Sequence, residues 1–536
     1  MRGSGQFEAA LGVVERLRAA GYDAYLAGGC VRDLLLGREP PDYDVATSAT
    51  PDIVLDLFPR TFAVGAHFGV VLVATCGGAD AACDAEAKPN YVLTEVATFR
   101  SDGAYSDGRH PDAVRYTASA EEDVKRRDFT INGLLLDPLD GAGLFEAGLP
   151  QAAVASDPTH RDEAATPTRR VPRYPDGAQT GLREAGPLRP AQGRLSTPLR
   201  SAQGDSQELI AQKGMRTAVL DFVGGMADLD AGLVRAIGRP EERFEEDHLR
   251  MLRGVRFASR FGFAIEEETN RAMRAQAGKI SAVSRERARD ELTKMLTEGQ
   301  ARRAFELLDE TGLLTEVLPE VARMKGVEQP AQYHPEGDVW VHTLGLLGQL
   351  EPGCAATLGW GALLHDVGKP PTFRRAPDRI RFDGHVEVGV GVAAEILRRF
   401  RFSNDDTRQI LALVENHMRF METSRMKAST LKRFFRLDRF EEHLALHRMD
   451  CLAGSGHLDN WEFVRERWKA MPEEAVRPKP LITGRELIAA GYKPGAGFKE
   501  MLRAVEDAQL EGTISTEEEA LWLVKKNRER GSGNRE

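Results

Sequence analysis

With 536 residues, 42% of them hydrophobic and 29% charged, the chain is too long for one core and reads as a globular protein of about three or four domains. No stretch approaches the roughly 18 apolar residues of a membrane span, and the N-terminus lacks an apolar signal core; five scattered cysteines with no CxxC pair argue against a disulfide framework or zinc ribbon and for a reducing cytoplasm. The formal charge of −10 weighs against non-specific RNA affinity, but arginine clusters at Arg250–Arg260 and Arg398–Arg401 leave RNA binding open.

Residues 7–20 (FEAALGVVERLRAA) carry a helical apolar stripe. AYLAGG then reads as a short strand ending in two glycines, VRDLLLG as a helix and DYDVAT as a second strand. VGAHFGVVLVAT and YVLTEVATF are further β-rich runs bounded by turn residues. The part up to about Leu139 therefore predicts a compact α/β domain. Residues 141–217 are rich in Pro, Ala, Gly and Arg, without apolar period, and PLRPAQG at Pro187 recurs as PLRSAQG at Pro198. Such a stretch is expected to be a disordered insertion, with a basic RNA-touching arm as the alternative. From Val219 onward LRMLRGVRFASRFGF, RAFELLDETGLL, TLGLLGQL, VAAEILRRF and EEEALWLVKK predict helices.

Three constellations carry chemistry. Gly28–Gly29 between strand and helix permits close backbone approach to a ligand, and the following helix start favours phosphate. Arg32 in that first turn could reach the same phosphates, although GGxVRD alone also fits a tight turn with surface charges. Asp42 and Asp44, at i and i+2 of a strand, point to one face. Two like charges there call for a cation, and hard oxygen ligands suit Mg²⁺, a pair of which can activate a hydroxyl and stabilise departing pyrophosphate. Glu95 in YVLTEVATF is the candidate third carboxylate; a plain surface strand residue is the alternative.

The second constellation begins with Arg126 and Arg127 in RRDFTIN, ahead of an apolar run expected to be helical. Asp247 follows in EDHLR, opening a helix with Arg250, Arg253, Arg256 and Arg260 on one half of its circumference. Asp247 and Arg250, three residues apart, could present an acceptor beside a donor. That pair complements the amino group and ring nitrogen of cytosine and adenine and opposes the carbonyls of guanine and uracil. A solvated arginine face is the plain alternative.

Together these segments closely resemble the bacterial class II CCA-adding enzyme and poly(A) polymerase family. The resemblance rests on LAGGCVRDLLLG, DYDVATSATPDIVLDLFPRTFAVGAHFGVV, EVATFRSDGAYSDGRHPD, EEDVKRRDFTINGLLLDP and RFEEDHLRMLRGVRFASRFGF. It implies Mg²⁺ on Asp42 and Asp44, and an incoming nucleotide held by Gly29 and Arg32. It further implies Arg127 at the triphosphate, Asp247 and Arg250 reading the base, and Arg253 and Arg256 supporting them. The 141–217 insertion and His248, where the family usually has proline, depart from the pattern.

In the third constellation, His342, His365, Asp366 and Asp450 resemble the ligand set of an HD phosphohydrolase domain. Imidazole and carboxylate suit a divalent transition metal. Lys369 is placed to meet a phosphate, and His385 and His417 are expected as outer or extra ligands. The implied organisation is α+β. A polymerase-β-like head (1–140), with a mixed sheet and helices, precedes the insertion (141–217). An all-α neck and RNA-binding region (218–325), an HD phosphohydrolase-like domain (326–455) and a helical tail (456–536) follow. The implied activity is addition of CMP and AMP, from CTP and ATP, to the 3′ end of tRNA in the cytoplasm, with no membrane partner and with a homodimer as one expected assembly. Addition of A alone, poly(A) synthesis, or an HD nucleotide phosphohydrolase with a degenerate head are the alternatives.

Overall fold

The computed structural model describes residues 5–62, 69–76, 91–103, 114–140, 214–332, 334–495 and 497–532. They fall into two compact units. The first comprises Met1–Ser101, Tyr116–Val124 and Asn132–Phe222, and the second Asp102–Arg115, Lys125–Ile131 and Val223–Glu536. Most of the 141–217 insertion and residues 104–113, which include most of the SDGAYSDGRHP segment, lie outside the described residues. Residues 214–217, expected to belong to the insertion, are part of the first unit: Met215 is buried, and Asp137 N donates to Ala218 O.

The first unit is built on a mixed seven-stranded sheet. Helix α1 (Gly5–Ala19) buries Phe7, Ala10, Val14 and Leu17 on one stripe, the helical spacing seen in the sequence. Strand β1 (Ala24–Ala27) runs into helix α2 (Gly29–Leu35), and β2 (Val45–Thr47) leads to α3 (Pro51–Leu57). Strands β3 (Thr61–Phe62), β4 (Val70–Cys76) and β5 (Tyr91–Thr98) follow, then short strands β6 (Arg100–Asp102) and β7 (Val114–Tyr116). Strands β8 (Leu135–Leu136) and β9 (Val219–Leu220) complete the sheet, whose order is β3-β4-β5-β2-β1-β8-β9. Only β2 and β5 pair in parallel, with Val45 opposite Val96; β1 pairs antiparallel with both β2 and β8. The Arg127 segment departs from the expected helix. Arg126 and Arg127 are followed by a bridge from Phe129 to Ala236 and a 3-10 turn at Thr130–Asn132, because Phe129 and Ile131 are fully buried on a tight path.

The second unit is helical apart from short paired strands. The elements that position functional residues are α4 (Pro240–Glu246), α5 (Leu249–Phe261), α6 (Arg285–Thr297), α7 (Val339–Leu347) and α8 (Ala356–Leu364). Beyond them come α9 (His385–Arg399), α10 (Asn404–Asn416) and α11 (Phe440–Ala453). Helix α5 is buried nearly all round, Arg250 and Arg256 included. The half-solvated arginine face is therefore not what forms; these arginines are buried with acidic partners. Among the described residues no helix is long and apolar enough to cross a membrane.

Candidate active sites

In the first unit the chain turns sharply at Gly28, whose φ of 71° and ψ of −123° lie where a side chain is strained. Its N–H donates to Leu134 O, and Ala27 N donates to Asp44 O at 3.0 Å. These bonds hold the glycine turn beside the Asp42–Asp44 segment. The buried Cys30 thiol reports the same proximity: burial, and then the charge of Asp44, push it up to about 12. The strand proper begins only at Val45, one residue after Asp44. Burial nonetheless alternates along the approach: Tyr43 is buried against Phe7 with ring centroids 5.5 Å apart, while Asp42 is exposed and Asp44 half-buried. The two carboxylates thus take the face that Tyr43 leaves.

Asp44, just before β2, and Glu95, within the parallel neighbour β5, each come one position before the Val45–Val96 pair. Although Glu95 as a residue is exposed, its carboxyl is raised above the usual range, by desolvation first and then by the negative charge of Asp42. Glu95 and Asp42 are thus close enough for one carboxylate to feel the other's charge, a repulsion that a divalent cation would relieve. Arg32 is less open than the sequence suggests. It is buried, its Nε donates to Asp33 Oδ1 at 2.9 Å, and its guanidinium also bonds Asn132. Gly29 lies against it, since a Cβ there would stand 3.5 Å from Arg32 Nη2.

In the second unit Asp247 does not sit on a helix. It occupies the break between α4 and α5 with extended backbone, φ −150°, and its Oδ1 accepts from Leu249 N at 3.0 Å, capping α5. Asp247 and Arg250 each bind other residues of the second unit. Arg250 turns to Glu246 and to the carbonyls of Arg243 and Arg126. Arg287 of α6 instead clamps Asp247, with Nη2 2.6 Å from Oδ2 and Nη1 3.3 Å from Oδ1. Arg287 lies 40 residues downstream, and no local pattern announces it. Arg253 binds Asp128, both at 2.7 Å from Nε and from Nη2 to Oδ2. Arg256 binds Glu291 at 2.6 Å and Glu298 at 3.3 Å. Arg127 is partly exposed in the turn just before Asp128.

The third set converges. His342 on α7, His365 and Asp366 just after α8, and Asp450 on α11 come together: His342 Nε2 is 3.0 Å from Asp450 Oδ1 and 4.0 Å from Asp366 Oδ2. His365 Nε2 lies 3.1 Å from Asp366 Oδ2 but without hydrogen-bond geometry. His385, at the start of α9, and His417, just after α10, face the other oxygen of Asp366, at 3.9 and 3.7 Å. Lys369 does not point outward for a phosphate as expected. It is buried, with Nζ 2.7 Å from Asp366 Oδ2 and 2.6 Å from Gln329 Oε1, neutralising the aspartate from within.

Glu336, unremarked in the sequence, receives His342 Nδ1 at 2.6 Å. Desolvation would raise its carboxyl, but the bonds to His342, its own backbone and His334 hold it at about 2. Conversely, burial would lower His342, yet Asp450 and Glu336 raise it to about 9. Burial pushes His417 down to about 4. Asp366 is held well below the usual carboxylate range, the adjacent His365 and the Lys369 ammonium overcoming its desolvation. The groups His334–Glu336–His342, His342–His365–Asp450 and Asp366–His385–His417 each bring three ligand atoms within 4.8 Å of one another, the spacing of a metal centre.

Three family profiles match in chain order: the Poly A polymerase head domain over residues 24–147, the RNA- and SrmB-binding site of polymerase A over 262–325, and tRNA nucleotidyltransferase domain 2 over 387–524. The CCA-adding enzyme of Geobacillus stearothermophilus is 28% identical over 533 residues, 98% of each chain. The chain belongs to the CCA-adding enzyme and poly(A) polymerase family. Among solved members of this family, the Bacillus stearothermophilus CCA-adding enzyme in complex with CTP matches with TM-score 0.64 and 25% identity, covering 99% of this chain and 100% of that one. The Thermotoga maritima CCA-adding enzyme complexed with tRNA shares the fold at TM-score 0.53 and 17% identity, covering 98% of this chain and 96% of that one. The family assignment thus embraces both units, the sheet-bearing head and the helical remainder.

Proposed function

We propose that the chain adds CMP and AMP, from CTP and ATP, to the 3′ end of tRNA by divalent-metal-dependent nucleotidyl transfer. The observation that carries this reading is end-to-end similarity to a CCA-adding enzyme whose structure was solved with CTP. It favours CCA addition over addition of A alone or poly(A) synthesis, neither of which uses CTP. The charged face formed by Asp42, Asp44 and Glu95 supports a Mg²⁺ site that neutralises the triphosphate and lowers the barrier to attack by the tRNA hydroxyl. Gly29, Arg32 and Arg127 would hold the nucleotide, and Asp247 and Arg250 would read its base, with Arg253 and Arg256 fixing α5. The three free cysteines among the described residues are in keeping with a cytoplasmic site of action.

The helical unit carries a second activity in this reading, hydrolysis of phosphate esters or 2′,3′-cyclic phosphates with a divalent transition metal. Residues 326–455 are its proposed domain, between a neck (218–325) and a tail (456–536). The donor set fits such an ion. His365 Nδ1 faces the carbonyl of Ala362 at 2.9 Å, so the N–H is on Nδ1 and the buried Nε2 presents a lone pair to carboxylates. A lone pair facing carboxylates without a cation between them is unfavourable, and a metal ion resolves it. His342, His365, Asp366 and Asp450 would hold the ion, which would polarise a phosphoryl oxygen.

The head is tested by Asp42→Ala and Asp44→Ala. Either should abolish nucleotide addition, since the charge that phosphoryl transfer must neutralise would lose its metal ligand, with tRNA binding near normal. Substantial addition by either variant would misplace the site.

A further inference from the structure

We infer that the open face of β3, β4 and β5 is the bed for the single-stranded 3′ end of the tRNA, with Phe62, Tyr91 and Leu93 against its last bases and Arg60 at a backbone phosphate. The inference rests on the proposed nucleotidyl transfer and names what holds its acceptor strand. Glu95 stands opposite Leu72, Leu72 opposite Phe62, and Leu93 opposite Ala74. Residues paired across strands share a face, as do residues two apart on one strand. Phe62, Leu72, Tyr91 and Leu93 therefore lie on the side of the sheet that carries Glu95. The other side is closed: Val71, Val73, Thr94 and Val96 are buried, and α1 packs against β4 and β5. The Glu95 side is open, with Phe62 and Leu93 each 54% exposed and Tyr91 37% exposed. Single exposed apolar residues need no explanation, but a contiguous patch beside a charged site marks a surface that something covers.

The direction of attack selects the occupant. In phosphoryl transfer the attacking and leaving oxygens stand roughly in line on opposite sides of the phosphorus. The sheet order β3-β4-β5-β2-β1 puts Glu95 and Asp44 between the apolar face and the glycine turn of β1 and α2, where the proposed site holds the triphosphate. With pyrophosphate leaving towards α2, the tRNA hydroxyl has to arrive from the β5 side. Leu93 and Tyr91 stand about 7 and 14 Å from Glu95 along β5, and Phe62, two strands away, about 10 Å. A single strand stacked at about 3.4 Å per nucleotide spans that reach with about three or four nucleotides, enough for the CCA end. The chemistry also fits. The Arg60 guanidinium lies over the Tyr91 ring, 5.0 Å from its centroid, and donates to the phenol oxygen. It has no carboxylate partner among the described residues. Aromatic and apolar faces beside such a cation bind single strands without reading their sequence, which suits an end whose last base changes from one addition to the next.

The test measures KM for tRNA and KM for nucleotide separately, on the full chain. Phe62→Ala and Leu93→Ala should each raise KM for tRNA ending in CC by about tenfold, the loss of one stacked base, and leave KM for ATP within about twofold. The rise should be smaller on tRNA ending before CCA, whose end covers less of the face, and Phe62→Tyr should stay near wild type. A second measurement needs no variant: wild type irradiated with tRNA carrying 4-thiouridine as its last nucleotide should crosslink within residues 60–62 or 91–95. Wild-type KM for tRNA in folded Phe62→Ala and Leu93→Ala chains would overturn the inference. So would a rise in KM for ATP as large as that for tRNA, which assigns the face to the nucleotide, or crosslinks confined to the second unit. A dimer that Leu93→Asp dissociates would assign the face to a second copy and overturn it equally. These results leave the proposed function standing, whereas a wild-type chain that extends no tRNA end would overturn that function and this inference with it.

Discussion

Asp247 shows how far a single side chain is determined by partners distant in sequence. Its type and its spacing from Arg250 suggested an acceptor beside a donor, and the acceptor is there. The donor that grips it is Arg287, bidentate at 2.6 and 3.3 Å, while Arg250 binds Glu246. Local periodicity reports which residues share a helix face, but carries no information on a pair separated by 40 positions. Arg287 and Leu249 N fix the orientation of the Asp247 carboxylate; in the proposed reading it would accept from the amino group of C or A and repel the carbonyl of U or G. Asp247→Ala should therefore lower kcat/KM for CTP and ATP by tens- to hundreds-fold, a contact on the order of 1–3 kcal/mol. UTP and GTP should lose much less, so discrimination collapses more than turnover. Measuring all four nucleotides on the appropriate tRNA ends decides it; an equal loss with every nucleotide would make Asp247 a supporting residue only.

At the scale of elements, the segments read from alternation and periodicity mostly form strands and helices where expected, and the misses have physical causes. DYDVAT yields a strand only from Val45, since pairing with Ala24–Leu26 ends there, yet Tyr43 buried between two outward carboxylates preserves the alternation that mattered. RRDFTIN forms a turn, because buried Phe129 and Ile131 outweigh local helix preference. The histidine–aspartate cluster was legible as an ordered set of His and Asp, but not the opposed placement of His385 and His417. That placement depends on how closely α9 approaches the turn after α8, and the point of closest approach is Gly368. Gly368→Ala would drive a methyl into backbone, which cannot rotate aside as a side chain can. It should destabilise the helical unit by at least about 1–3 kcal/mol, the usual cost of overpacking, and lower any phosphohydrolase activity by displacing His385. The thermal midpoint of that unit's transition reads the first effect; an unchanged midpoint would mean that α9 moves freely.

For the whole molecule, the family and its two-part architecture were readable because five motifs with separate chemical reasons occur in one order. The length and composition alone permitted only a multi-domain protein. Two centres with different demands stand in different units: exposed carboxylates on a sheet in the first, buried imidazoles between helices in the second. They share no residue, so damage to one should spare the other. The central claim is that this chain completes the CCA end of tRNA. Its most direct measurement supplies wild type and a folded His365→Ala variant with tRNAs ending before CCA, after one C and after CC, each with CTP or ATP alone. Both proteins should extend the first two ends with CTP and only the third with ATP, at rates within a few-fold of each other. Runs of A on every end, no use of CTP, or loss of addition in the His365→Ala chain would contradict the account.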